Sequence, residues 1–494
     1  VTPVELHHRR SGDGRNKPHL KEASTDLRPI VERENFMQKA SANHHSSAAS
    51  GAGSVILDSV RAFASTAMSS HSLTEECLAR ISNPAGEGKR TFIKIWADEA
   101  RTAAKAQDEL RGIGYAPSPI AGIPVSVKDM LDVAGEVTLA GSKALDDAPP
   151  AARDAPVIQR LKAAGAVLTG RTNMAQFAFS ILGLNPHFGT PKNPWDRSRI
   201  PGGSSSGAAV SVADGMSIAA IGSDTVGSIR APAALCGIVG FRPTQRSVPL
   251  QGTIPLSTTL DTVGPLARTV QDAALVYATI SGEPWRSPQP LAVKGLRLAI
   301  PQTRVLDDLS AAVARAFERA SGRLSEAGAD LVDASFRYFA EIEDSHGCGV
   351  IEHVEALAWH KELLDRRGHE YDPNVRARVE KGATIAAWEY AAMLEWRKHV
   401  IARFDRDSFA YDAIILPTVA ITAPTMEECE RDEGGFRSKL LRNPSLFNFM
   451  DRPAISIPIH VPGEAPVGLM VVGERNEDWR LLSVARALEA VLVN

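Results

Sequence analysis

The chain is poor in cysteine: Cys77, Cys236, Cys348 and Cys429 are the four in 494 residues. They stand far apart, without CxxC spacing and without the density of a secreted disulfide framework, so zinc ribbons and stapled scaffolds are excluded. Four scattered thiols suit a reducing, cytoplasmic setting. Excess charge is missing too. A formal net charge of −3 gives no footing for a polyanionic partner and excludes nucleic-acid binding as an expectation. No apolar run reaches the length of a membrane span: the longest, around Gly207–Gly222, is interrupted by Asp214. Neither a signal peptide nor an internal repeat is visible, and the serine loop described below has no following lysine, which sets aside a phosphate-cradling loop.

What remains is ordinary for a globular protein, with 44% hydrophobic and 23% charged residues. The length allows two or three average domains, or one large α/β sheet. One region is not ordinary. From Pro201 to Thr244 glycine, serine and alanine crowd together, as they do where backbones pack closely or loops present N–H groups. Two loops stand out, Gly202-Gly203-Ser204-Ser205-Ser206-Gly207 and Gly222-Ser223-Asp224-Thr225-Val226-Gly227-Ser228. Between them Ala208–Ala220 reads as a buried helix. Each loop offers a serine, and the second also offers successive N–H groups ahead of Ser228, a donor cluster suited to an oxyanion. A serine hydroxyl needs a base to take its proton. The thirteen histidines are scattered and none is near either loop, whereas Lys128 ends the apolar run Ile120–Val127, which reads as a strand entering the core.

Gly-Ile-Pro-Val-Ser-Val-Lys-Asp, Pro-Gly-Gly-Ser-Ser-Ser-Gly and Ser-Asp-Thr-Val-Gly-Ser-Ile-Arg, in that order, resemble the three signature blocks of the amidase signature family of serine hydrolases. Gly170–Met174 and Gly183–Trp195 resemble that family's approach to the serine loop, and the likeness runs from about Leu73 to the C-terminus. The resemblance implies an α/β fold, a large mixed β-sheet core covered by helices on both sides, in a single catalytic domain over 55–494. It implies hydrolysis of a carboxamide C–N bond through a Ser–cis-Ser–Lys triad and an acyl-enzyme. Ser228 is then the nucleophile, Ser204 the bridging serine on a cis peptide, and Lys128 the base. The N–H groups of Thr225, Val226, Gly227 and Ser228 form the oxyanion hole, and Asp224 and Arg230 hold that loop in shape. No cofactor and no metal are implied. The partner is a small-molecule amide; a homodimer stays open. The alternative is the glutamine-hydrolysing subunit of a tRNA-dependent amidotransferase, with its partner subunits. Two departures are visible: Val226 stands where members commonly carry glycine, and Gln176 where glutamate is expected.

The rest of the chain is read around that core. Residues 1–54, rich in His, Arg, Lys, Ser and Asn, are expected to be a disordered tail. Because the chain begins with valine and Met37 and Met68 come later, part of that tail is expected to reflect the assigned start. Its His7-His8 and His44-His45 pairs read as solvated rather than metal-binding. Ser72–Glu75 has capping-box spacing for a helix over Glu75–Ile81, and a second helix runs through Trp96–Arg111. Val133–Gly141 reads as a short extended segment with a loop, Asp154–Ala164 as a helix and Gly165–Gly170 as a strand, a βα alternation. Thr259–Thr269 reads as a loop before the Val270–Ile280 helix, and Leu296–Ile300, Ser310–Ala327 and Ala329–Val332 as one βαβ unit. Tyr338–Arg406 is a helical insertion expected to shape the substrate pocket, with Trp359, Trp388 and Trp396 as packing residues. Tyr411–Thr418, Ser445–Pro458 and Val467–Gly473 are expected to close the sheet. Gly203–Gly207 also fits a G-x-S-x-G elbow with Ser205 as nucleophile, but an elbow follows an apolar strand, and Trp195–Pro201 is charged and contains proline.

Overall fold

The buried apolar runs enter one eleven-stranded mixed sheet in the computed structural model, which describes residues 53–289 and 291–493. In chain order the strands are β1 (Phe92–Ile95), β2 (Pro124–Lys128), β3 (Val167–Thr172), β4 (Ala219–Asp224), β5 (Val239–Arg242), β6 (Thr262–Ala267), β7 (Arg297–Pro301), β8 (Asp330–Ala334), β9 (Ala413–Pro417), β10 (Ala454–Pro458) and β11 (Gly468–Val472). They lie in the order β1-β3-β2-β4-β6-β5-β10-β11-β9-β7-β8. Every residue of β2, β4, β5, β6, β9 and β11 is buried, as strands covered by helices on both faces require.

The sheet's direction sets where chemistry can gather. β2 runs parallel to both β3 and β4, so the three strands end on the same edge of the sheet. β4 then pairs antiparallel with β6. The carboxyl ends of parallel strands are where open α/β sheets place their sites. Lys128 closes β2 and Asp224 closes β4 on this edge.

The Ser206–Ala213 helix, SGAAVSVA, buries every residue except its last. Its small side chains permit that approach: a Cβ on Gly207 would lie 2.5 Å from the Thr91 carbonyl oxygen and 2.6 Å from the Asn173 nitrogen. No side chain fits there without moving backbone.

Several expected boundaries shift. The helix expected over Ala208–Ala220 ends at Ala213, and β4 begins at Ala219. Thr259–Thr269 is not simply a loop, because it contains β6, which pairs with both β4 and β5. β1 has no counterpart among the expected elements, and Val133–Gly141 forms turns rather than a strand. Ser445 lies inside the Glu433–Phe449 helix, leaving β10 as the strand of the Ser445–Pro458 segment. The helix expected over Glu75–Ile81 runs Ser70–Ser82 and is capped by Ser69, not Ser72, with the capping box formed between those two residues. Residues 1–52 of the expected tail lie outside the described residues, but Ser54 is structured: its hydroxyl accepts from Leu57 N and donates to Asp272 at 2.5 Å. Tyr338–Arg406 is helical as expected. Trp396 packs on Phe449 with ring centroids 5.2 Å apart, and Trp359 packs edge-on to His360 at 4.6 Å. Trp388 is 72% exposed and packs on no ring among the described residues.

Candidate active site

Lys128 is fully buried, and its side-chain nitrogen meets three hydroxyls. Nζ lies 2.7 Å from Ser204 Oγ, 3.0 Å from Ser205 Oγ and 2.8 Å from Ser223 Oγ. Ser204 follows a cis peptide from Gly203. A protonated lysine donates to all three oxygens. A neutral amine donates to two and accepts from the third. Ser205 cannot be the third, because its hydroxyl donates to the Ser223 carbonyl at 3.2 Å. Burial pulls the Lys128 amine down to about 7, the nearby charges of Asp261 and Asp224 opposing that shift only in part. The amine is therefore poised to exchange a proton near neutrality.

Ser205 is fully buried and immediately precedes the Ser206–Ala213 helix, and no strand leads into the loop from Trp195–Pro201. The elbow arrangement is absent. Ser228 stands at the end of the second loop, 2% exposed, and its carbonyl accepts from Ser205 N at 3.3 Å. That bond ties the two serine loops together. Among the described residues no hydrogen bond joins the Ser204 and Ser228 hydroxyls.

The loop between Asp224 and Ser228 is built around the Asp224 carboxylate. Its Oδ1 accepts from Gly227 N (2.8 Å), Arg230 Nη2 (2.9 Å) and Asn448 Nδ2 (2.8 Å), and Oδ2 accepts from Ile229 N (3.1 Å) and Arg230 Nε (3.1 Å). Burial alone would raise this acid, but the Arg230 guanidinium and these hydrogen bonds hold it far below the usual carboxylate range. Both members of the pair are completely buried. Arg230 is itself braced by the Pro444 carbonyl and the Asn448 side-chain oxygen.

The four expected oxyanion donors differ in their partners. The Gly227 N–H already donates to Asp224, whereas those of Thr225, Val226 and Ser228 meet no acceptor among the described residues. This arrangement answers the departure at Val226. The positive φ falls on Gly227, at 122°, and Val226 is not among the residues with positive φ. The valine sits without strain and is 7% exposed. The Gln176 amide donates to Ser142 Oγ and the Glu370 carbonyl and accepts from Asp372 N.

Four participants escape sequence reasoning. Ser205 and Ser223 sit inside the quoted motifs and are legible as serines, though not as partners of the lysine. Asp261 accepts from Thr225 Oγ1 at 2.5 Å and from Leu256 N and Ser257 N, fixing the first residue of the loop; burial pushes it up to about 6. The Ser257 hydroxyl in turn donates to Glu355 at 2.5 Å. Asn448 contacts Asp224 from 224 residues away, with no motif to announce it. Among the described residues no group of three or more His, Cys, Asp or Glu is placed to hold a metal ion, and no helix is long and apolar enough to cross a membrane.

The family model described as Amidase matches residues 72–482. The chain is 35% identical over 420 residues to 2-amino-5-chloromuconic acid deaminase of Comamonas testosteroni, covering 82% of this chain and 89% of that protein. It is 33% identical over 470 residues to a glutamyl-tRNA(Gln) amidotransferase subunit of Carboxydothermus hydrogenoformans, covering 85% and 96%. A crystal structure of an amidase superposes with TM-score 0.81 at 30% identity, covering 88% of this chain and 99% of that one. The peptide amidase PAM bound to chymostatin superposes with TM-score 0.74 at 28% identity, covering 88% and 96%.

Proposed function

Because this chain belongs to the amidase family, we propose that it hydrolyses a carboxamide C–N bond to a carboxylate and ammonia or an amine, through Ser228, Ser204 and Lys128. The observation that carries the reading is the 2.7 Å approach of Lys128 Nζ to Ser204 Oγ inside a fully buried site. A lysine without a carboxylate partner, surrounded by hydroxyls, is the arrangement a neutral base needs.

In this mechanism neutral Lys128 accepts the proton of Ser204 as Ser204 accepts that of Ser228. Ser228 Oγ then bonds to the amide carbonyl carbon. The oxyanion is received by the free N–H groups of Thr225, Val226 and Ser228, each good donor contributing about 3 kcal/mol. Collapse breaks the C–N bond, and the nitrogen leaves with the proton relayed from Lys128 through Ser204. Water then adds to the acyl-enzyme along the same relay, releasing the carboxylate and restoring Ser228. The helices of 338–406 shape the pocket that chooses the amide, and the catalytic domain comprises residues 55–494.

A second reading has support in the similarity to the tRNA-dependent amidotransferase protein. There the same site would hydrolyse glutamine and pass ammonia to another chain. A hydrolysis screen over primary and secondary amides, with L-glutamine included and Ser228→Ala as blank, tests both. Turnover of simple amides by the isolated chain supports the first reading; glutamine alone supports the second. No turnover of any amide, together with no labelling of Ser228 by a fluorophosphonate, contradicts both.

A further inference from the structure

Glu352 is 3% exposed, and its side chain makes no hydrogen bond among the described residues. The nearest cation, Arg437, stays 3.6 Å away. Glu352 Oε2, Arg437 Nε and His353 Nδ1 are all buried without a partner. Arg378 does not serve them, being engaged by the Phe179 carbonyl and Glu433. Buried charged groups in folded proteins collect hydrogen bonds, so the unmet atoms of the neighbouring Glu352 and Arg437 mark where a ligand's polar atoms belong.

Helix geometry places this cluster relative to Ser228. Cys348, Glu352 and Glu355 stand at i, i+4 and i+7 of the Gly347–Arg367 helix and so share a face. The flanking two both reach the oxyanion loop's supports. Cys348 Sγ donates to the Ser445 carbonyl at 3.3 Å, next to Pro444, and Glu355 accepts from Ser257, whose N–H binds Asp261. Pro444 packs directly over Gly227. Arg437 precedes Pro444 by two turns of the Glu433–Phe449 helix, about 10 Å along its axis. Apolar side chains stand at both ends: Ile181 Cδ1 lies 3.5 Å from the Cβ position of Gly227, and the Phe179 ring is 5.4 Å from that of His353.

We propose that Glu352 and Arg437 form the far end of the acyl pocket and select amides whose acyl chain ends in a group that both donates and accepts hydrogen bonds, a second carboxamide being the simplest. The terminal N–H donates to Glu352 Oε2 and the terminal carbonyl accepts from Arg437, while the methylene stem lies along Phe179 and Ile181. A hydrocarbon end leaves both protein groups unmet. This inference rests on the amide-hydrolysis reading above.

The test compares adipamide with hexanamide, which differ only at the far end, in parallel with fluorophosphonate labelling of Ser228. The wild-type chain is expected to favour adipamide by at least about tenfold in kcat/KM, as sites built to hydrogen-bond a polar group reject its apolar analogue. Glu352→Met is expected to bring the ratio close to one by lowering kcat/KM for adipamide, with Ser228 still labelled. If Glu352→Met fails to label, Arg437→Met, at the partly exposed partner, is read in the same way. Labelling of wild type with no preference for adipamide, or a preference that survives in the variants, overturns the pocket assignment alone. A wild-type chain that neither labels nor hydrolyses overturns the hydrolase reading beneath it.

Discussion

Lys128 and Ser204 are 76 residues apart in the chain and 2.7 Å apart in the fold. One ends a central strand and the other follows a cis peptide in a glycine loop. The contact forms because β2 and β4 are parallel neighbours that end on the same edge, with the serine loop folded over that edge.

If Ser228 is the nucleophile, Ser228→Ala lowers kcat by about a thousandfold or more, the scale on which loss of a serine nucleophile is measured elsewhere. It also abolishes fluorophosphonate labelling. The thermal midpoint is expected to stay near wild type, because the lost hydroxyl makes no bond to Ser204. Mass spectrometry of the labelled protein gives the site directly; a label on Ser205 contradicts the assignment.

Asp224 and Arg230 hold the loop as a completely buried pair. Asp224→Asn leaves the guanidinium without its counter-charge, and breaking such a pair typically costs about 3–5 kcal/mol. Urea unfolding of the variant is expected to show a midpoint shifted by that order, with activity falling as the loop loosens.

At Gly227 a side chain meets two obstacles. The backbone has φ of 122°, and a Cβ would lie 2.7 Å from both Cβ and Cγ of Pro444. Gly227→Ala is expected to cost about 1–3 kcal/mol of stability and to lower kcat more than it alters KM, since the loop it distorts carries the proposed oxyanion donors. Differential scanning calorimetry and steady-state kinetics separate the two effects.

The charge of Asp261 opposes the burial that depresses Lys128. Replacing it by asparagine removes a negative charge that favours the ammonium form, so the acid limb of kcat/KM is expected to move to lower pH. A pH profile of Asp261→Asn against wild type checks the direction. A shift to higher pH contradicts the electrostatic account.

The parts legible in the sequence are those written as local pattern. The apolar run before Lys128, the serine loop and the Asp224–Arg230 segment each occupy a few consecutive residues, and each lies at the edge of the sheet where β2 and β4 end. What the pattern hides is long-range. β6 reads as a loop because Thr262–Ala267 contains glycine and proline, yet it is buried between β4 and β5. Asn448 and Glu352 stand on helices of weak amphipathicity, and only the fold brings one to Asp224 and the other beside Arg437. The Gly227 donor reads as free in the sequence because its bond to Asp224 depends on a φ that sequence does not reveal.

The central claim is that a neutral Lys128 takes the proton of Ser228 through Ser204, and the pH dependence of kcat/KM for an amide substrate tests it most directly. The expected profile from pH 5 to 10 rises with a single-proton slope and a midpoint near 7, where burial has brought the amine, and Lys128→Met loses both the rise and the rate. A flat wild-type profile, or a Lys128→Met variant that keeps the same limb, would contradict it.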